Sequence, residues 1–560
     1  MWNFAMGLLS KGIVRLSPTI PKMVLSAFLR EKTDNLPNQP KGYRFLVNGR
    51  PLKQFMDVPH FKLEDLISLV SQLKPGGTYH CVKIDLKDAY FCCPIPEEDQ
   101  TYFGFSLLDP DNVRHYFVFC AICQGTSQSS YVFDRLLKPV LRHWRRNASG
   151  AMVIYVDDCL GAALSHAHAI HMRDVLIDAL TKAGFIINWK KCVLDPTQTF
   201  TALGFTLDFT VNPATISPSP RRITTTSEAI KAILDLPNPH PTPRDLCSIG
   251  GKIVSMRHAL GASSSLHLRS LYVLVCLLTA GTRGWDTPIL VIPEAVLEEL
   301  RYWFSRLSSP ASYTRPLWPP RLPLPDGQAY LDASDIAVNA LVRDITHLPS
   351  ALRSDITTIS NLLPPSMDDF IISPEGQVLQ RDSHHFHYLI AVQDILASDQ
   401  DTSSCARELF TIFFLLLCKG ADWQDRTLQF FLDAHSIISI LKKGSSSPIE
   451  HSLAIRIDII VTHHNITIQY IWIPRRLNKA SDLFSRFTDI DDYTLSLKAL
   501  LNIISCLGIP MPRVDLFATT ANTLCPNFYS RFYQIDCSGI NTLALNLNGL
   551  HAYAFPPSRV

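Results

Sequence analysis

The feature that most constrains this chain is a pair of aspartates, Asp157-Asp158, set between two apolar runs, 151–156 (AMVIYV) and 159–164 (CLGAAL). Short apolar runs with a polar break between them read as the two strands of a buried hairpin. Two carboxylates at its tip repel each other and are costly unless something positive compensates them. A divalent cation is the obvious candidate. The run 81–86 (CVKIDL) supplies a third aspartate, Asp85, at the end of an equally apolar strand. Side by side, the two elements would gather Asp85, Asp157 and Asp158, hard oxygen donors suited to Mg²⁺. Two such ions roughly 4 Å apart would activate an attacking hydroxyl and stabilise the leaving oxygen of an in-line phosphoryl displacement. Each motif alone also has a plainer reading, a polar turn for 157–158 and a helix cap for Asp85.

The surroundings alternate short strands with helices. Over 127–144 the residues Val132, Phe133, Leu136, Leu137, Val140, Leu141 and Trp144 share one helical face, and over 168–182 Val175, Leu176, Ala179 and Leu180 keep the same spacing, with Gly184 as the C-terminal cap. Such alternation implies a sheet covered by helices. Composition shifts at 212–222 and at the proline-rich 316–326, with a softer one at 488–493, divide the chain into 1–215, 216–325, 326–490 and 491–560. A length of 560 residues suits three or four domains.

With 47% apolar and 18% charged residues and no apolar run near the ~18 a membrane span needs, the chain reads as globular, with no membrane partner. Its first residues lack a secretory pattern, so we expect an intracellular protein, in cytoplasm or nucleus, with 14 reduced cysteines. Cys120 and Cys123 have no second pair to complete a zinc site, and His166, His168 and His171 read as a solvated helix start. The net charge of +2 hides an asymmetry: residues 1–325 carry 35 Lys and Arg against 26 Asp and Glu, residues 326–560 only 17 against 24. The first part is the better polyanion binder, although basic runs such as 135–146 are ordinarily solvated faces.

Five motifs in order, KIDLKDAYFCCPI (83–95), QGTSQSSYVFDRLL (124–137), IYVDD (154–158), GFIINWKKC (184–192) and TALGFTLD (201–208), resemble the palm motifs of reverse transcriptases over roughly residues 5–210. The resemblance implies an α+β, multidomain chain: a right-hand polymerase with fingers and palm in 1–215 and a thumb or connection in 216–325. It implies Asp85, Asp157 and Asp158 as the metal-binding catalytic triad, with Mg²⁺, two per site, or Mn²⁺. Tyr90 would be the gate that excludes the ribose 2′-OH, Gln124 and Gly125 the loop against the incoming nucleotide, and Lys191, with Lys190 as rival, the proton donor to pyrophosphate. Leu203, Gly204 and Phe205 would form the primer grip, and Arg44, in GYRFLVNGRPLKQF (42–55), would contact the triphosphate. Asn48, Lys53 and Ser129-Ser130 depart from the family's usual residues.

A second carboxylate set follows the prolines: Asp332 in YLDASD, Glu408 at a helix start, Asp433 at a strand end and Asp482 in NKASDLFSR. Their order, and the segment 471–486 (IWIPRRLNKASDLFSR), resemble RNase H domains of retroelements, which implies an RNase H-like α/β domain in 326–490 with these four as metal ligands. Ala337 and Asn339 stand where glycines are usual. The 76 residues from Asp332 to Glu408 imply an insertion at 346–398 that loops out. An intact site and a degenerate but folded domain both remain open. The tail, 510–533 and 550–557, is similar to the methyltransferase-like segment of DIRS-type retrotransposons, which move with a tyrosine recombinase, and 244–256 (RDLCSIGGKIVSM) agrees with that lineage. Ending in Phe555-Pro556-Pro557-Ser558, it reads as a truncated remnant. The implied partners are an RNA template, a DNA primer, RNA/DNA hybrid, dNTPs and an element-encoded recombinase. The rival reading is a decayed or domesticated copy that only binds nucleic acid.

Overall fold

The computed structural model describes the chain apart from residues 32–41, 57–58, 236–239, 281–283, 319–322, 356–363, 367–368, 373–377, 381–387, 396–401, 487–493, 541, 543–544 and 557–560. Its contacts divide it into two compact units, 1–224 with 310–319, and 225–309 with 320–560.

The first unit is built on an antiparallel sheet whose strands are β1 (His80–Asp85), β2 (Ala151–Tyr155), β3 (Asp158–Ala163) and β4 (Val193–Thr197), in the order β4-β1-β3-β2. Two helices cover it, α1 (Ser129–Asn147) and α2 (His166–Lys182). Phe133, Leu137, Val140, Leu141 and Trp144 of α1 and Ala169, Met172, Leu176 and Leu180 of α2 join one core with Val82, Ile84, Met152 and Ile154 of the strands. Each large side chain buried this way contributes roughly 1.5–3 kcal/mol. Leu136, expected on the packed face, is 46% exposed. At about 100° per residue it falls some 80° off the centre of the stripe that Phe133, Leu137, Val140, Leu141 and Trp144 define. The Trp144 indole donates to the Met172 carbonyl at 2.8 Å and so ties the two helices.

A smaller sheet follows: β5 (Thr199–Ala202), β6 (Phe205–Asp208), β7 (Thr215–Pro218) and the short strand Arg315–Pro316. The start of the proline-rich segment is therefore paired, Thr215 opposite Pro316 and Ile216 opposite Arg315. Ala202 pairs with Phe205, which leaves a two-residue turn with Leu203 at φ 49° and Gly204 at φ 80°, the twist that suits a tight hairpin. Helix α3 (Pro220–Leu234) starts directly after β7. The remaining strands make a sheet of Val14–Leu16, Arg114–Phe119, Gly104–Leu108 and Val24–Leu25 and a hairpin of Ala27–Glu31 with Tyr43–Val47.

The second unit holds a five-stranded mixed sheet of β8 (Gly327–Ala333), β9 (Ala337–Asp344), β10 (Leu389–Asp394), β11 (Thr427–Leu432) and β12 (Thr467–Trp472), ordered β10-β9-β8-β11-β12. The first three strands run antiparallel, and β8-β11 and β11-β12 are parallel pairs. The end of the expected insertion does not loop out: its apolar LIAV stretch becomes β10, the strand on the edge of this sheet. Further residues of that insertion lie outside the described residues.

The helices Arg269–Thr279 and Glu294–Leu307 belong to this unit too. Glu299, 5% exposed, accepts the N–H groups of Ser270 and Leu271 at 2.9 and 3.0 Å, and His451 Nε2 lies 3.3 Å from it. Nearby, His267 Nε2 stands 2.8 Å from Asp458 Oδ2. Both His451 and Asp458 lie on the helix Pro448–His463. The tail adds four short parallel strands, Gly539–Ile540, Asn527–Ser530, Val514–Asp515 and Ala552–Tyr553. Pro557 and Ser558 lie outside the described residues. All fourteen cysteines are free thiols, and among the described residues no helix is long and apolar enough to cross a membrane.

Candidate functional site

Strand register puts the first carboxylates together. Asp85 closes β1 directly opposite Asp158, the first residue of β3, and the Leu86 N–H donates to the Asp157 carbonyl at 3.0 Å. Val156, in the turn, is held at φ 54°, uncommon for a β-branched residue. Asp85 is 7% exposed. Burial raises its pKa, while the Asn188 amide, donating to Oδ1 at 2.7 Å, and the charge of Lys191 pull it down. Asn188 also donates its N–H to the Asp85 carbonyl at 2.8 Å, and the Asp85 N–H points at Cys192 Sγ at 3.3 Å. Burial likewise raises Asp157, opposed by Lys83 and Arg44. Asp158 is turned to Lys83, whose Nζ lies 2.6 Å from Oδ1.

The other expected residues surround this turn. Tyr90 packs edge-on against Phe133, ring centroids 5.1 Å apart, and its hydroxyl lies 2.9 Å from Ser130 Oγ. It is close enough to Asp157 for that charge to help raise the phenol's pKa, after burial. Gln124 and Gly125 are bonded to the strand that carries Arg44: the Val47 N–H donates to the Gln124 carbonyl at 3.1 Å and the Gly49 N–H to the Gly125 carbonyl at 3.0 Å. At Gly125, φ is 107° and a Cβ would lie 2.0 Å from the Val47 carbonyl oxygen, so only glycine fits. Leu203, Gly204 and Phe205 form the turn of the β5-β6 hairpin. The three histidines face different partners: His166 meets Asp195, His171 the Asn147 carbonyl, and the His168 N–H is capped by Ser165.

Sequence reasoning missed Lys83, Asn188, Ser130 and Cys192. Lys83 shares a strand face with Asp85, two residues on, which period-two alternation could have shown. Asn188 and Cys192 flank the expected Lys191, and nothing local marks them. Ser130 was visible only as a departure from the usual residues of the motif it resembles.

The second carboxylate set also converges. Asp332 sits one residue from the end of β8, Asp433 just past β11, Glu408 in the helix Ser404–Lys419 and Asp482 in the helix Lys479–Phe484. Burial, then the charges of Asp433 and Asp482, push Asp332 up to about 6 against the Ser485 hydroxyl bond and Arg475. Burial, then Asp433 and Asp332, push Glu408 up to about 7 against Arg475. Burial also raises Asp433. Asp482 goes the other way: burial would raise it, but its bond to Arg475 and the charge of Arg486 bring it below the usual range. Ser485 Oγ donates to Asp332 Oδ2 at 2.6 Å. Asn339, standing where a glycine is usual, is fully buried and satisfied, donating to the Ala391 carbonyl at 3.0 Å and accepting the Ser481 hydroxyl at 2.8 Å. It thereby bonds the helix of Asp482 to the sheet.

Among the described residues no group of three or more His, Cys, Asp and Glu side chains is set to hold a metal ion. In the first set, Asp158 is drawn to Lys83 and Asp85 to Asn188. The donor chemistry nevertheless fits Mg²⁺: hard carboxylate oxygens at adjoining strand ends, two of them burdened by burial that a cation would offset. Site and sheet define a carboxylate-centred hairpin on a helix-covered antiparallel sheet. More narrowly, residues 31–207 match the family model described as reverse transcriptase (RNA-dependent DNA polymerase). Over 200 residues the chain is 30% identical to a Gag-Pol polyprotein of avian reticuloendotheliosis virus, covering 34% of this chain and 17% of that protein. A second Gag-Pol polyprotein, of feline leukemia virus, is 28% identical over 202 residues, 34% of this chain and 12% of that protein. The chain thus spans only about a sixth or less of these relatives' length. A solved foamy viral protease-reverse transcriptase in complex with dsDNA aligns at 15% identity and a TM-score of 0.45, covering 84% of this chain and 82% of that chain.

Proposed function

We propose that this chain is the RNA-directed DNA polymerase of a retroelement, extending a DNA primer with dNTPs on an RNA template and then on DNA. One observation carries the reading: Asp85 stands in register with Asp158 beside the Asp157 turn, inside the stretch similar to reverse transcriptases. Asp85, Asp157 and Asp158 would hold Mg²⁺, or Mn²⁺ in its place, which when bound activates the attacking hydroxyl and offsets charge on the leaving oxygen. The chain's own groups do the rest. Asn188 orients Asp85. Tyr90, anchored through Ser130, presents the ring that excludes a 2′-OH. Arg44 offers a forked guanidinium to the triphosphate, Lys191 a proton to the departing pyrophosphate, and the Leu203-Gly204-Phe205 turn holds the primer end.

Within the second unit we read residues 326–490 as an RNase H that removes the RNA strand of the hybrid, with Asp332, Glu408, Asp433 and Asp482 as its metal ligands. Both Asp332 and Glu408 are raised by burial and then by Asp433, with Asp482 adding to the first and Asp332 to the second, and this closeness of the four supports the reading. The tail and residues 244–256 favour a DIRS-type lineage, with a recombinase of the same element as partner and an intracellular site of action. A second reading, a copy that binds nucleic acid without copying it, is favoured by one contact, the hold of Lys83 on Asp158.

Primer extension on an RNA template with Mg²⁺ and dNTPs, run beside Asp157→Asn, separates the two. Extension by the parent alone supports the polymerase. Binding of primer and template by both, with extension by neither, overturns it.

A further inference from the structure

We propose that Arg222 binds the phosphodiester nearest the primer's 3′ end, a proposal that rests on the polymerase reading above. Its place is set by backbone bonds. The Ser219 N–H donates to the Gly204 carbonyl at 2.9 Å, and the Arg222 N–H to the Ser219 carbonyl at 2.9 Å, so the first turn of α3 is tied to the tip of the β5-β6 hairpin. The side chain then lies back over that tip. A Cβ built on Gly204 would fall 2.0 Å from Arg222 Nε and 2.2 Å from its Cζ, so the guanidinium occupies the space a side chain at 204 would need. Its Cζ is 5.3 Å from the centroid of the Phe205 ring.

Arg222 is thus in contact with the hairpin that would hold the primer, and its side chain is only partly buried there. A primer whose 3′ end is held by that hairpin brings its last phosphodiester to the same place. A half-buried guanidinium, braced by a ring and a glycine, presents its forked donors to phosphate with little ordering cost. A purely structural arginine would account for the packing on Phe205 but not for any dependence on phosphate charge.

The test measures binding of a fluorescent DNA primer on an RNA template by anisotropy across a salt series, for the parent, Arg222→Met and Arg222→Lys. A second primer carries a neutral methylphosphonate at its terminal linkage. Arg222→Met should bind the ordinary primer about tenfold more weakly, with a slope of log Kd against log salt smaller by about one. Arg222→Lys should recover the slope. On the methylphosphonate primer the parent and Arg222→Met should bind alike. Equal losses on both primers, or no loss, overturn the proposal. Should Arg222→Met not fold, Arg222→Gln, which keeps a polar side chain without the charge, gives the same readout. A parent that binds primer and template yet never extends them sinks the polymerase reading, whereas a Met variant that binds as the parent does sinks only the role of Arg222.

Discussion

Lys83 Nζ stands 2.6 Å from Asp158 Oδ1, with only 17% and 19% of the two side chains exposed. Lys83 lies two residues before Asp85 on β1 and therefore shares its face. The pair supplies a resident positive charge where three carboxylates meet. Lys83→Met should lower the metal-free Tm by about 2–4 °C, for a loss of about 1 kcal/mol. It should also enlarge the Tm rise on adding Mg²⁺, because the cation no longer competes for Asp158. Thermal unfolding with and without Mg²⁺ reads both; an unchanged Mg²⁺ response would show that Lys83 does not compete.

The bond between Tyr90 and Ser130 makes a graded series. Tyr90→Ala should reduce discrimination against rNTPs by roughly 10- to 200-fold, the worth of a small steric contact. Tyr90→Phe keeps the ring and should change it little. Ser130→Ala frees the hydroxyl of its 2.9 Å partner and should fall between them. Single-nucleotide incorporation with paired dNTP and rNTP substrates measures the ratio, and an unchanged ratio in Tyr90→Ala removes the gate.

Gly125→Ala meets the Val47 carbonyl at 2.0 Å with φ at 107°. Strain of about 1–3 kcal/mol should follow, together with breakage of the Val47 to Gln124 bond. Urea unfolding should show the loss of stability, and the KM for dNTP should rise with it. A stable variant with an unchanged KM would separate this loop from the nucleotide.

In the second unit, Glu408 at about 7 and Asp332 at about 6 hold their protons more tightly folded than unfolded. The stability that these two protons contribute without metal is therefore full below about pH 4 and is lost as pH rises from there through 6 and 7, the window in which the folded state binds more protons than the unfolded one. Glu408→Gln should flatten the decline between pH 5 and 7.5, measured by Tm in a chelating buffer. Asp433→Asn, which removes a charge that raises Glu408, should move the decline to lower pH. It should also spare primer extension and stop hybrid cleavage; loss of both activities would argue against two separate sites.

The hairpin and its aspartates were legible because buried strands write themselves as apolar runs, and the observed strands fall within a residue of those runs. Long-range partners were not. Lys83 reads as an ordinary strand residue until register sets it beside Asp158. Arg222 lies 18 positions beyond Gly204 and announces only a helix start. Ser130 and Asn339 showed themselves as departures from a family pattern, yet each is hydrogen-bonded into its site. The insertion misled because its length suggested a loop, while the LIAV stretch had the continuous apolarity to extend the sheet as β10.

Glu299 joins two backbone amides and His451, and His267 reaches Asp458, all within the second unit. Anyone cutting this chain for separate expression must respect those bonds. A piece begun at 326, where the prolines invite the cut, would strip His451 and Asp458 of their partners and bare the helix Pro448–His463. A piece begun near 225 would carry both pairs intact and is the one to clone first.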